Sequence, residues 1–214
     1  MNDLNHTDNA MVISNTDKAS SGNKFQNTVF DRIHQILDDT AIMKNKVLYN
    51  DVEIVYRKKK TESDIEITFP AKSRFKVIFE TTKTMRNDRD NDKDVKAQAI
   101  INFHKKHNIE VIYAVVVKND EDYTGSNTRN EININNKIAH EINEERQITA
   151  ERDDCVHLFL REDEAYDCIE YIKNNLHKDR LTLINECREI IKNNKITKRK
   201  FEEEPQQLSF FNIM

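Results

Sequence analysis

Hydrophobic positions along the chain follow two alternating periods. Phe25, Val29, Ile33, Ile36 and Leu37 recur at helical spacing, which predicts a helix with one buried stripe. The period then drops to two. Leu48, Val52, Ile54 and Tyr56 alternate with Asp51, Glu53 and Arg57, the pattern of a half-buried strand. Across Ser63–Phe69, Ile65, Ile67 and Phe69 share one face while Asp64, Glu66 and Thr68 share the other, until Pro70 ends the run. A third strand follows from Phe75 to about Thr82. A helix over roughly Asp92–His107 comes next, with Val95, Ala99, Ile100 and Phe103 inward.

The second half repeats the alternation less regularly. Glu110–Val117 is almost continuously β-branched, which suits a strand buried on both faces in the middle of a sheet. Asn119–Arg129 reads as a polar loop carrying Gly125, Glu131–Glu145 as a helix, and Cys155–Leu160 as a short fifth strand. Two helices then run to about Asn193, built on Ala165, Cys168, Ile169, Ile172 and Leu176 and on Leu181, Ile184, Cys187 and Ile191. Three consecutive strands with short turns imply an antiparallel meander, joined through a helix by the 110–117 strand. The expected class is therefore α/β: a mixed β-sheet flanked by helices, with additional C-terminal helices. Residues 1–23 lack periodicity and are expected to form a flexible arm; 24–200 form one domain and 201–214 a tail.

Composition narrows the function classes. With 37% hydrophobic and 34% charged residues, the 214-residue chain has enough apolar material for a core and a strongly charged surface. No apolar run approaches the length of a membrane span, and Met1–Ser21 lacks the apolar core of a secretion signal. Cys155, Cys168 and Cys187 are too widely spaced for a zinc cluster, and their odd number fits a reducing compartment, so a cytoplasmic location is expected. A net charge of −4 argues against coating nucleic acid through overall basicity. Local clusters remain, in Arg57–Lys60 and in Lys198–Lys200. Two glycines exclude a phosphate-cradling Walker loop. His104 and His107 read as surface histidines, and Cys155 and His157 as core packing.

Two acidic positions suit a metal site. Asp64 opens the second strand and Glu80 lies near the end of the third, so a hairpin-like pair can bring them to the same side of the sheet. Hydrolysis of a phosphodiester needs a hard cation held by carboxylate oxygens and water, and these two residues with a strand carbonyl can supply it.

Thr61-Glu62-Ser63-Asp64-Ile65-Glu66-Ile67, then Val77-Ile78-Phe79-Glu80-Thr81-Thr82-Lys83, then a charged helix and an apolar strand, resemble the PD-(D/E)xK nuclease superfamily. That superfamily includes most type II restriction endonucleases, and the resemblance covers about residues 25–117. It implies a Mg²⁺-dependent deoxyribonuclease acting on double-stranded DNA, usually as a homodimer at a palindromic site. Residues 118–200 would then serve recognition and dimerisation. The family motif places a lysine two residues after the second acid, where this chain has Thr82. Lys83 comes one residue later and needs a bulge to face the site. The alternative is Lys96 or Lys93, reaching in from the following helix. Arg86, Arg89 and Lys93 are candidate phosphate contacts, and Asn127 and Arg129 candidates for reading bases. Gln26 and Asp31 stand on the first helix, where family members often carry a polar group facing the site.

Near the C-terminus, Gln207-Leu208-Ser209-Phe210-Phe211 resembles the pentapeptide that docks bacterial replication and repair proteins on the sliding clamp. Leu208, Phe210 and Phe211 would anchor in an apolar groove while Gln207 sets the register. The second functional expectation is accordingly an accessory protein that binds DNA or clamp and whose nuclease fold is inactive or clamp-tethered.

Overall fold

The computed structural model describes residues 15–54, 57–82, 87–118 and 154–203. Along the chain these form helix α1 (Asn15–Leu37), strands β1 (Ile42–Ile54), β2 (Arg57–Thr68) and β3 (Phe75–Thr82), and helix α2 (Asn87–Lys106). Strands β4 (Glu110–Val117) and β5 (Leu158–Arg161) follow, then helices α3 (Glu162–Asn174) and α4 (Arg180–Glu203). The sheet order is β1-β2-β3-β4-β5. The first three strands form the antiparallel meander, while β3, β4 and β5 run parallel. The expected α/β mixed sheet flanked by helices is therefore the observed architecture.

Each face of the sheet has its own cover. Ile65, Ile67 and Phe69 of β2 and Val77 and Phe79 of β3 point to one side, where they pack under α1, α3 and α4. Val29 and Ile33 of α1, Ile169 and Ile172 of α3, and Ile184 and Ile191 of α4 complete that core. The opposite face carries Ile78, Tyr113 and Val115 and is closed by Ala97, Ile100 and Ile101 of α2. β4 sits between β3 and β5 and is buried from Val111 to Val117, as its unbroken β-branched run requires. Pro70 opens a 3-10 turn, Pro70–Lys72, that reverses the chain into β3. Among the described residues, no helix is long and apolar enough to cross a membrane.

Several boundaries depart from the pattern in the sequence. α1 begins at Asn15, inside the segment expected as an arm, and the residues before it lie outside the described ones. β2 begins at Arg57, so the basic cluster Arg57–Lys60 belongs to a strand paired with β1. In β1 the buried side chains are Tyr49 and Val52, while Leu48 is 44% exposed. The β1–β2 register shifts between Tyr49 and Glu53, and such a shift changes which parity faces inward. α2 is turned relative to expectation: Ala97, Ile100, Ile101 and His104 are buried, whereas Val95 is 40% exposed. β5 starts at Leu158, three residues later than expected. The loop 119–129 and the helix expected over 131–145 lie outside the described residues.

Phe79 tests the larger core. Its ring is 1% exposed and packs on the face opposite the one shared by Glu80 and Ile78. Phe79→Ala should lower the stability by about 3–5 kcal/mol, read as a lower urea midpoint with an unchanged slope. A loss below about 1 kcal/mol would mean that the surrounding side chains collapse into the gap.

Candidate active site

Register brings the two acids together. The β2–β3 ladder pairs Glu66 with Ile78 and Ile65 with Phe79, and its next step along both strands carries Asp64 and Glu80. Partners across an antiparallel pair share a face, so both carboxylates project to the side covered by α2. They stand at the carboxyl end of β3, where the parallel part of such a sheet usually meets its ligands.

The backbone ladder stops there and Asp64 takes over. Its Oδ2 accepts hydrogen bonds from the Thr81 amide at 2.7 Å and the Thr81 hydroxyl at 2.9 Å. On the other edge of β2, the Lys46–Asp64 step is missing from the β1–β2 ladder, and Lys46 sits at φ 54, a left-handed conformation. The Asp64 carbonyl instead accepts from Nε2 of Gln26 at 3.1 Å, and the same nitrogen donates to Asn45 Oδ1 at 2.6 Å. Gln26 thus reaches from α1 to the backbone that carries Asp64. Asp31, the other first-helix candidate, is exposed.

Glu80 is fully buried, and two ammonium groups converge on one of its oxygens. Lys96 Nζ lies 2.6 Å and Lys93 Nζ 2.9 Å from Oε2. Both come from the first half of α2, on the same stripe as Ala97, Ile100, Ile101 and His104 (spacings of three and four). That stripe is apolar over the core and turns basic where the helix overhangs the carboxylates. The helix is fastened beyond this stripe too: Asp94 Oδ1 accepts from the Val156 amide at 3.0 Å, and Gln98 donates to Asp154 at 2.6 Å. The two lysines remain 18% and 19% exposed, so their charges sit at the rim with Glu80 beneath them.

The carboxylates titrate apart. Burial pushes Glu80 up, but Lys93 and Lys96 outweigh it and hold Glu80 below its ordinary value. Burial, then the negative charge of Glu80, raises Asp64, and the lysines and the Thr81 amide offset only part of that. Two acids pushed in opposite directions by one environment are a frequent mark of an active site.

A second polar group lies farther along the same face. Glu66 pairs with Lys76 and accepts from the Tyr49 hydroxyl at 2.7 Å, with His104 Nε2 3.7 Å away. Tyr49 also lies 3.4 Å from Ser63 Oγ and 3.4 Å from His104 Nε2. His104 is therefore a buried member of this network, not the surface residue its sequence suggested; His107 is exposed. His157 is buried as expected, but as a hydrogen-bonded group: its Nδ1 accepts from the Tyr113 amide at 2.9 Å.

A divalent cation fits this donor set. Asp64 and Glu80 are hard oxygen ligands, and Oε1 of Glu80 is buried without a hydrogen-bond partner. Among the described residues, no group of three or more His, Cys, Asp or Glu stands ready to hold a metal. Water, backbone carbonyl and substrate phosphate would have to complete the shell, as is usual for Mg²⁺.

Of the other candidates, Lys83, Arg86, Asn127, Arg129, Gln207, Leu208, Phe210 and Phe211 lie outside the described residues. Arg89 belongs to the first turn of α2. Sequence reasoning missed Tyr49, Glu66, His104 and Tyr113, and little in the sequence marks them. The alternation of β2 did put Glu66 on the face of Asp64, but not that α2 would cover it. In comparisons with known proteins, no family model matches the chain, and no curated protein and no solved structure shows a significant match.

Glu66 gives a pH test. Burial pushes its carboxyl up, but His104, Lys76 and Tyr49 overcome this and bring it from the ordinary 4.5 to about 2. A depressed folded pKa contributes stability that is present above the unfolded value and lost as pH falls through the folded one. The wild type should therefore lose stability between pH 4.5 and pH 2. Glu66→Gln should be roughly 1–3 kcal/mol less stable at neutral pH. It should also show a flatter pH dependence over that window in urea titrations. Parallel curves for the two proteins would remove Glu66 as the source.

Proposed function

We propose that this chain is a Mg²⁺-dependent endonuclease of the restriction-enzyme-like type, hydrolysing phosphodiester bonds in double-stranded DNA. The observation that carries the reading is the meeting of Asp64 and Glu80 at the carboxyl end of β3 with Lys96 and Lys93 on Glu80. It is the acid, acid and lysine set that the PD-(D/E)xK resemblance leads one to seek, with the lysine supplied by α2. A fold of this class hosts many functions, so the argument rests on the site and not on the sheet.

The roles follow from position and charge. Asp64 and Glu80 would hold the cation, and the chemistry it would supply there is polarisation of a phosphoryl oxygen and a lowered pKa for the attacking water. Thr81 fixes the Asp64 carboxylate with two hydrogen bonds, so one oxygen is oriented before substrate arrives. Lys96, at 2.6 Å, takes the part of the motif lysine and places positive charge beside the scissile phosphate. Lys93 reaches the same oxygen from one turn earlier and is suited to a neighbouring phosphate. Action as a homodimer at a palindromic site belongs to the same proposal.

Purified protein incubated with plasmid or phage DNA should give discrete bands with Mg²⁺ and none with EDTA. Asp64→Ala and Glu80→Ala should each reduce cleavage by at least about 100-fold while duplex binding persists. Lys96→Met should cost more than Lys93→Met. Full cleavage by Asp64→Ala would overturn the site assignment, and absence of cutting on every duplex would overturn the enzyme.

A further inference from the structure

Two polar atoms of this site are buried without a hydrogen bond of ordinary geometry, and they belong to neighbouring side chains: Oε1 of Glu80 and the hydroxyl of Tyr113. The parallel β3–β4 ladder pairs Ile78 with Tyr113 and Glu80 with Val115. Tyr113 and Glu80 therefore project to the same α2-covered face, one diagonal step apart on adjacent strands. A long aromatic side chain can span that diagonal. Both residues are completely buried, so solvent does not satisfy either atom. The Tyr113 phenol interacts with Glu80 both through its charge and by hydrogen-bonding approach, so the two groups are within reach of each other.

The division of labour at Glu80 is uneven. Both lysines hold Oε2, which leaves Oε1 as the oxygen with open lone pairs. A carboxylate oxygen has two such directions, room for one hydrogen bond and one cation. We propose that Tyr113 is a positioning residue of the metal site: its hydroxyl donates to Oε1 of Glu80 when a divalent cation is bound and fixes how that oxygen is presented. The inference rests on the nuclease reading for the cation, but its own content is the role of the phenol. Groups that hydrogen-bond to metal-ligating carboxylates typically change metal affinity by about 10–100-fold when removed.

Mn²⁺ alone is the probe, with free Mn²⁺ followed by its electron paramagnetic resonance signal in titrations of wild type, Tyr113→Phe and Glu80→Gln. Wild type should bind Mn²⁺, Glu80→Gln should lose it, and Tyr113→Phe should bind about 10-fold more weakly. The thermal midpoint of metal-free Tyr113→Phe should stay close to that of wild type, because without the cation the phenol makes no hydrogen bond of ordinary geometry. Equal Mn²⁺ affinity in wild type and Tyr113→Phe would overturn the positioning role and leave the nuclease reading standing. No Mn²⁺ binding by wild type, or binding unaffected by Glu80→Gln, would overturn both.

Discussion

A carboxylate buried on a central strand has to be compensated, and at Glu80 the compensation comes from one helix. Moving such a charge out of water costs several kcal/mol even after relaxation, so Glu80 stays ionised only because ammonium groups lie within 3 Å of it. Lys93 and Lys96 can do this only if α2 lies across the sheet with its first turns over the end of β3. The helix is held in that attitude by Ala97, Ile100 and Ile101 below and by the bonds of Asp94 and Gln98 beside it. Packing of α2 and charge balance at Glu80 are thus one problem with one solution.

The same cover determines the rest of that face. Under α2 the sheet carries a row of polar groups, from Asp64 and Glu80 to Glu66 and Tyr49, which His104 of α2 joins from above, set among Ile78, Tyr113 and Val115. Nearly every member has a partner, and buried polar groups without one are costly. The exceptions are Nδ1 of His104 and, adjacent to each other, the open oxygen of Glu80 and the Tyr113 hydroxyl. On the opposite face α1, α3 and α4 pack an apolar core on Ile65, Ile67, Phe79 and their neighbours. One face of the sheet is closed by apolar packing, while the other carries the polar groups of the candidate site.

Asp64 reveals a second constraint, at the level of the backbone. Where the β2–β3 ladder ends, its carboxylate accepts the Thr81 amide that the ladder would otherwise have engaged. On the far edge Gln26 serves the Asp64 carbonyl, left by the missing step opposite Lys46. At Asp64 the strand is left unpaired on both edges, and hydrogen bonds from two other elements, α1 and β3, hold this half-buried residue still. Preorganisation of this kind is what a reacting site needs from a sheet.

Periodicity by itself determined the class of the fold, the strand at Glu110–Val117, the apolar face of Ile65, Ile67 and Phe69, and the nearness of Asp64 and Glu80. These are short-range properties: side chains alternate along a strand, and a hairpin joins neighbours in sequence. The face of α2 was not legible, because Val95 and Ala97 are both apolar and only the docking angle selects between them. Parity in β1 was hidden for a related reason, since the register shift after Tyr49 exchanges inside for outside without altering the composition. Which lysine meets Glu80 depends on that angle as well. Lys93 and Lys96 are more than a dozen residues from Glu80 in sequence. Tertiary packing alone decided that they, with Tyr113 from a neighbouring strand, would close over a carboxylate whose position the sequence had already marked.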